Sequence, residues 1–150
     1  MRDVSFMSVD SSYAHLIAEL GRTLGIAGLA PSAEGVCQLV FDGRQIVQVV
    51  HVGAHGQVLV SCRLADHGID ARQADRMARA NFMQAGHGAV LCLAPDGRPH
   101  MQVALNLSEC TASMLCSVVE SLLDRADDWT RAGAAEASTS RDPAFFLQSV

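Results

Sequence analysis

The sequence predicts an α+β domain with three helices packed on one face of a mainly antiparallel, twisted sheet, in the order α-β-β-β-α-β-β-α. Two hairpin turns, Asp42-Gly43 and Pro95-Asp96-Gly97-Arg98, join short runs rich in Val, Ile and Leu. Helical apolar stripes stand before, between and after these runs. They do not alternate strictly with single strands, which argues against a doubly wound parallel sheet. The length of 150 residues suits one domain.

The first helix is predicted to begin at Ser11 and Ser12, which offer an N-cap hydroxyl, and to end at Gly25. Its apolar stripe has helical spacing and consists of Tyr13, Leu16, Ile17, Leu20 and Leu24. We expect residues 1–10 to form a flexible leader outside the domain.

Three strands follow, predicted over residues 36–41, 45–52 and 57–64. Apolar residues stand next to each other in these runs, as in Val49-Val50, so the alternation between buried and solvent-facing positions is not clean. We therefore expect a sheet that is apolar on both faces. One face would cover the helices of its own domain, and the other would need a partner.

The second helix is predicted to start at Asp70, with Gln73 at the spacing of a capping box. A hairpin over residues 89–93 and 100–107 comes next, and Ser108 is predicted to cap the last helix. From Gly133 the chain is rich in small residues, so we expect the domain to span 11–132 and residues 133–150 to form a flexible tail. The apolar faces of the two helices consist of Ala74, Met77, Ala78 and Phe82, and of Leu115, Val118, Val119, Leu122, Ala126 and Trp129.

The composition excludes several functions and favours a binding module. The net charge of −5 argues against nucleic-acid binding, which needs a concentrated basic face. No run is long enough for a membrane span and the N-terminus is not a signal peptide, so we expect a cytoplasmic protein. Apolar residues make up 49% and mean hydropathy is +0.19, more than a monomer of this size can bury. The surplus predicts a subunit or partner interface.

Residues with catalytic potential do not form a recognisable motif. The sequence has no Lys, which excludes a Walker-type phosphate loop. The pairs His51/His55, Cys62/His67 and Cys92/His100 are conceivable metal ligands, but no spacing demands a site, and we expect no metal and no cofactor. The five cysteines lie in apolar runs, where burial makes a thiol a poor nucleophile. We expect no enzyme; the alternative is a small ligand-binding or hydrolytic α+β domain with an apolar groove.

Four short segments stand in order along the chain: Cys37-x-Leu39-x-Phe41-Asp42, Met77-Ala78-Arg79-Ala80-Asn81-Phe82, Gly88 to Leu93 followed by Asp96-Gly97, and Leu122-Leu123 with Ala126 and Trp129. Together they resemble the Tir chaperone (CesT) family, the class I type III secretion chaperones. The resemblance covers about residues 11–132. The helix segment departs from the family's usual Leu-Leu-x-x-Asn because Met77-Ala78 replaces the Leu pair.

The resemblance implies a homodimer that binds the N-terminal region of one or more secreted effectors, keeping it extended, stable and export-competent without ATP hydrolysis. A contact with the export apparatus of the secretion system stays open. The effector would fill grooves lined by the first helix and first three strands, and the dimer would form through the second helix and fourth strand. For the effector we expect Leu16, Leu20, Val36, Val40, Val47 and Val49, with core packing as the alternative for each. For the dimer we expect Met77, Asn81, Val90 and Cys92, with local backbone capping as the alternative for Asn81.

Overall fold

The computed structural model describes residues 10–83 and 88–140, and its element order is the predicted one. Two 3₁₀ turns, Gly53–His55 and Leu107–Glu109, connect elements. The helices and strands are α1 (Ser11–Leu24), β1 (Val36–Phe41), β2 (Gln45–Val52), β3 (Gln57–Arg63), α2 (Ala71–Met83), β4 (Ala89–Leu93), β5 (Pro99–Asn106) and α3 (Ala112–Ser140).

The five strands form one sheet in the order β1-β2-β3-β5-β4, with every pair antiparallel. The first three strands follow each other directly through short turns. Because β3 pairs with β5 rather than β4, the chain passes from β3 through α2 to the far edge and then returns. Strands β1 and β4 are therefore the two sheet edges, and β4 is the one that lies against α2.

The core lies between one face of the sheet and the helices. Tyr13 anchors α1 to it, because its hydroxyl donates to the main-chain oxygen of Val49 at 2.9 Å and its ring stacks on His51. α1 and α3 pack against each other over this face. The buried strand residues on it are Cys37, Leu39, Val47, Val49, Val58, Val60, Cys62, Ala89, Leu91 and Met101.

The residue that caps helix α1 differs from the predicted Ser11 or Ser12. Its N-cap is Asp10, whose carboxylate accepts from the main-chain N–H groups of Ser12 and Tyr13 at 2.8 and 3.3 Å. Three consecutive residues can serve as N-caps, and a carboxylate has the added attraction of the positive end of the helix. The predicted end is confirmed, since Gly25 closes the helix in the left-handed conformation at φ 73°.

The capping box of α2 is confirmed. The Asp70 carboxylate accepts from the Gln73 N–H at 2.8 Å, and the Gln73 side chain accepts from the Asp70 N–H at 2.9 Å.

Helix α3 differs from the prediction at both ends. Ser108 lies in a 3₁₀ turn, and the hydroxyl of Thr111 caps α3 by accepting from the Met114 N–H at 3.2 Å. The helix continues through Gly133 to Ser140, across the predicted domain boundary at 132. The Ala-rich composition of this stretch favours helix. The predicted leader, apart from Asp10, and the tail beyond Ser140 lie outside the described residues.

Candidate functional site

The sheet face opposite the helices, here called the open face, carries side chains in rows that run across the strands. Cα partners in adjacent antiparallel strands place their side chains next to each other. One row is apolar and consists of Val36, Val50, Leu59 and Ala104 as successive partners. The first three are half-buried and Ala104 is exposed. An apolar strip thus crosses four strands.

The neighbouring row is polar and uncharged. Gln38, Gln48, Ser61 and Gln102 are successive partners, and Val90 on β4 completes the row. Gln48 donates to the Gln38 side-chain oxygen at 3.1 Å, and Gln102 donates to the Ser61 hydroxyl at 3.4 Å. The open face therefore offers amide donors and acceptors directly beside apolar side chains.

Ser61 and His100 form a hydrogen-bonded pair in the middle of the open face, with Oγ and Nδ1 3.0 Å apart. Burial lowers the pKa of His100, and Asp96 partly opposes that shift. Ser61 is only 5% exposed, so its hydroxyl is enclosed by its neighbours. A substrate carbonyl would not reach this oxygen without displacing them.

The edge of the sheet formed by β1 carries main-chain groups that point away from β2. At Val36 these groups are used locally, since its carbonyl accepts from the Ser32 N–H at 2.8 Å and its N–H donates to the Ser32 hydroxyl at 3.2 Å. Alternation along an antiparallel strand gives Gln38 and Val40 the same orientation. The Val40 side chain is 55% exposed on the open face beside this edge.

The six residues predicted to contact an effector divide between the two sheet faces. Leu16 is 6% exposed, and the other three buried members, Leu20, Val47 and Val49, are 0% exposed, so all four pack in the core between α1 and the sheet. Val36 and Val40 lie on the open face. The structure thus separates the two groups instead of bringing them together, and only the second group is presented to a partner.

The residues predicted at the dimer interface also differ in exposure. Met77 is 6% exposed and points into the core, whereas Val90 is 51% exposed on the open face. Cys92 is half-buried beside His100. Asn81 pairs with local backbone, since its side-chain amide donates to the Leu91 carbonyl and accepts from the Leu91 N–H, both at 2.8 Å.

The dimer prediction omitted the exposed apolar side of α2. Phe82 is 82% exposed, and Ala74 and Ala78 are exposed on the same side of the helix. We call these three residues the α2 stripe. Their spacing of four residues is visible in the sequence and could have indicated a stripe separate from Met77.

The cysteine thiols lack the environment of a nucleophile. Burial raises the pKa of Cys62 to about 11 and is the first cause of the raised pKa at Cys37, Cys92, Cys110 and Cys116. Within residues 10–83 and 88–140, no group of three or more His, Cys, Asp or Glu side chains is arranged to hold a metal ion. Among the helices of that part of the chain, none has the length and apolarity needed to cross a bilayer.

The chain matches the Tir chaperone protein (CesT) family over residues 15–130, which is most of its length. It belongs to that family. This CesT-family chain is a type III secretion chaperone, as the residue pattern predicted, and the family is one of chaperones rather than enzymes. No curated protein sequence matches the chain.

Solved structures share the fold of this CesT-family chain at low sequence identity. The ExsC–ExsE complex matches with a TM-score of 0.73 and 19% identity, covering 83% of this chain and 96% of that one. The HopA1–SchA chaperone–effector complex gives 0.69 and 21%, covering 82% and 98%. The Yersinia pestis type III secretion chaperone SycH with a fragment of YscM2 gives 0.63 and 20%, covering 77% and 98%.

Proposed function

We propose that this chaperone acts in the bacterial cytoplasm as a homodimer and binds the N-terminal region of one or more effectors in an extended form. The observation that carries this proposal is the β1 edge at Gln38 and Val40, whose outer side pairs with no strand in residues 10–83 and 88–140. The exposed Val40 side chain and the apolar row of the open face lie beside this edge. The printed descriptions of SchA with HopA1 as a chaperone–effector complex, and of SycH as a type III secretion chaperone in complex, support it.

The β1 edge offers an extended segment its main-chain hydrogen bonds. A client strand would pair with the N–H and C=O groups of Gln38 and Val40, which gives it direction and register. Its side chains would alternate between the two sides of the sheet, so every second one would stand beside Val40. An extended, unfolded client is the conformation that such an edge selects.

The open face adds affinity through its apolar row. Burying one Leu- or Val-sized client side chain there contributes about 1.5–3 kcal/mol. Ordering the client segment costs part of that gain, so the complex combines protection of the client with release. The polar row beside it favours client side chains that are uncharged and can form hydrogen bonds.

The homodimer would use the α2 stripe together with Val90 on β4. Phe82 and Val90 are large apolar side chains that expose 82% and 51% of their surface in the single subunit. A second copy would cover them, which accounts for part of the apolar surplus in the composition.

A catalytic role has little support from the described residues. The enclosed Ser61 hydroxyl and the raised pKa of the Cys92 thiol argue against a nucleophile on the open face. We therefore propose that the chaperone works by binding alone, without ATP hydrolysis.

The test is affinity capture from the cytoplasm of the native bacterium, read by mass spectrometry, with wild type, Val40→Asp and Ser117→Asp. Ser117 is exposed on α3 and is the matched control, because it receives the same charge away from the β1 edge. We expect wild type and Ser117→Asp to recover secreted proteins and Val40→Asp to lose them while remaining folded. Equal recovery by Val40→Asp would place the client elsewhere. Recovery of no secreted protein by wild type would instead favour the apolar-ligand alternative.

A further inference from the structure

Helix α2 is held to its own subunit at few points. Met77 is its one buried residue among positions 71–82, and most of the others are exposed. Its C-terminal half is fixed by the two hydrogen bonds between Asn81 and Leu91. An element with so little buried area depends on its polar contacts for a defined position.

Arg76 supplies the second fixed point, and it reaches α3 in three ways. Its guanidinium donates to the Trp129 carbonyl at 3.2 Å, lies 3.6 Å from the centre of the Trp129 ring, and pairs with the Glu136 carboxylate at 3.3 Å. The Arg76 side chain is 22% exposed. A planar, charged group suits this combination of stacking and hydrogen bonding, which an ammonium would not reproduce.

Gly133 makes this contact possible. A Cβ at that position would lie 2.8 Å from Arg76 Nη1, closer than real Cβ contacts come. Glycine inside a helix costs about 1 kcal/mol relative to alanine. Alanine at this position would, however, have to displace the end of the Arg76 side chain from its place beside α3. The sequence analysis interpreted the same glycine as the end of the domain.

Arg76 and the α2 stripe lie on opposite sides of the helix. At 3.6 residues per turn, Arg76 is about half a turn from Ala74 and Ala78. Arg76 therefore contacts α3 and not the surface proposed to meet a second copy. Any effect of Arg76 on dimerisation has to act through the position of α2.

We propose that Arg76 is a positioning residue that braces α2 on α3 and so aligns the α2 stripe for dimerisation. The brace includes Glu136, which lies beyond the part of the chain matched to the family. The α3 segment after residue 130 thus contacts α2, through Arg76, on the side opposite the proposed dimer interface. This inference rests on the proposed homodimer.

The test compares the dimer dissociation constant, from sedimentation equilibrium, with the free energy of unfolding of the same variants. Arg76→Met keeps the apolar stem and removes the guanidinium. Arg79→Met is the matched control, because Arg79 is exposed on the same helix and pairs with Asp75 within that helix, not with α3. We expect Arg76→Met and Gly133→Ala each to weaken the dimer about tenfold or more, and Arg79→Met to leave its affinity within about threefold.

The double variant Arg76→Met/Gly133→Ala should be no weaker as a dimer than Arg76→Met, since the added methyl group harms the contact only when the guanidinium is present. If Arg76→Met fails to fold, Arg76→Lys keeps the charge and should still weaken the dimer. Unchanged dissociation constants in all of these folded variants, with a dimeric wild type, overturn the role of Arg76 alone. A wild type that stays monomeric overturns the homodimer as well, so the two failures are distinguishable.

Discussion

At the scale of single residues, the side chain of Asn81 on α2 forms hydrogen bonds with the main chain of strand β4. Its amide offers one donor and one acceptor, and both meet Leu91, the central residue of β4. These two hydrogen bonds take the place of the pair that one residue of an additional strand would form with Leu91. A primary amide holds its donor and its acceptor side by side in one plane, which suits the N–H and C=O groups of a single strand residue.

Asn81→Asp should lower the free energy of unfolding by about 1–3 kcal/mol, because a carboxylate keeps the acceptor but faces the Leu91 carbonyl without a proton to donate. Chemical denaturation measures this loss. Gln38→Glu is the control for the same change at an exposed contact, where Gln38 acts as an acceptor and keeps that ability. A loss of equal size in both variants would contradict the role of Asn81.

Cys62 makes stability depend on alkaline pH. Burial raises its pKa from 9.0 to about 11, so the folded state holds the proton more tightly than the unfolded state. The contribution is complete below pH 9 and is lost as the pH rises towards 11. The unfolding free energy of wild type should therefore decline over that range, and that of Cys62→Ala should decline less steeply. Parallel pH profiles of the two proteins would refute this expectation.

At the scale of elements, the sequence predicted the order of the helices and strands in the described residues and, except for the C-terminal end of α3, their approximate bounds. It could not assign the sheet faces, because Val40 and Val49 are equally apolar and only the packing of α1 distinguishes them. The predicted N-cap of α1 was wrong because three neighbouring residues, Asp10, Ser11 and Ser12, are all suitable capping residues. The flexible tail was predicted to begin at Gly133, where α3 in fact continues. The sequence could not show this because Gly133 contacts Arg76, which lies far away in sequence.

Strand β1 offers a test of the client edge that uses proline as a probe. Gln38→Pro removes an N–H that points away from β2, so the fold should survive while effector binding weakens about tenfold or more. Leu39→Pro removes an N–H that alternation directs towards β2, and it should cost about 3 kcal/mol of stability or more. Effector binding and denaturation are measured on both variants. Undiminished binding by folded Gln38→Pro would rule out pairing at this edge.

At the scale of the whole molecule, part of the excess of apolar residues in the composition lies exposed on two surfaces. One is the open face with Val40, and the other is the α2 stripe with Phe82. They lie on different elements, although Val90 of the open face is proposed to join the α2 stripe in the dimer contact. We therefore expect a subunit to bind a second copy and a client at the same time.

Phe82→Asp should convert the dimer to a monomer, because a charge would be buried without a partner in the interface. Sedimentation measures the change, and the thermal midpoint should lose its dependence on protein concentration. Met114→Asp, at another exposed apolar residue, is the control and should remain dimeric. Identical association of both variants would mean that the α2 stripe is not the interface.

The hydrogen bonds of Asn81 also bear on polymerisation. A sheet with two open edges can add strands from other molecules at both ends and grow into a fibre without limit. Here the N–H and C=O groups of Leu91, in the middle of β4, are already bonded to Asn81 of the same subunit. A strand from another molecule therefore cannot pair with them. A single receptive edge accepts one strand and then stops. If β1 is the client edge, as proposed, we expect the Asn81 contact to limit self-association of the chaperone to one end of its sheet.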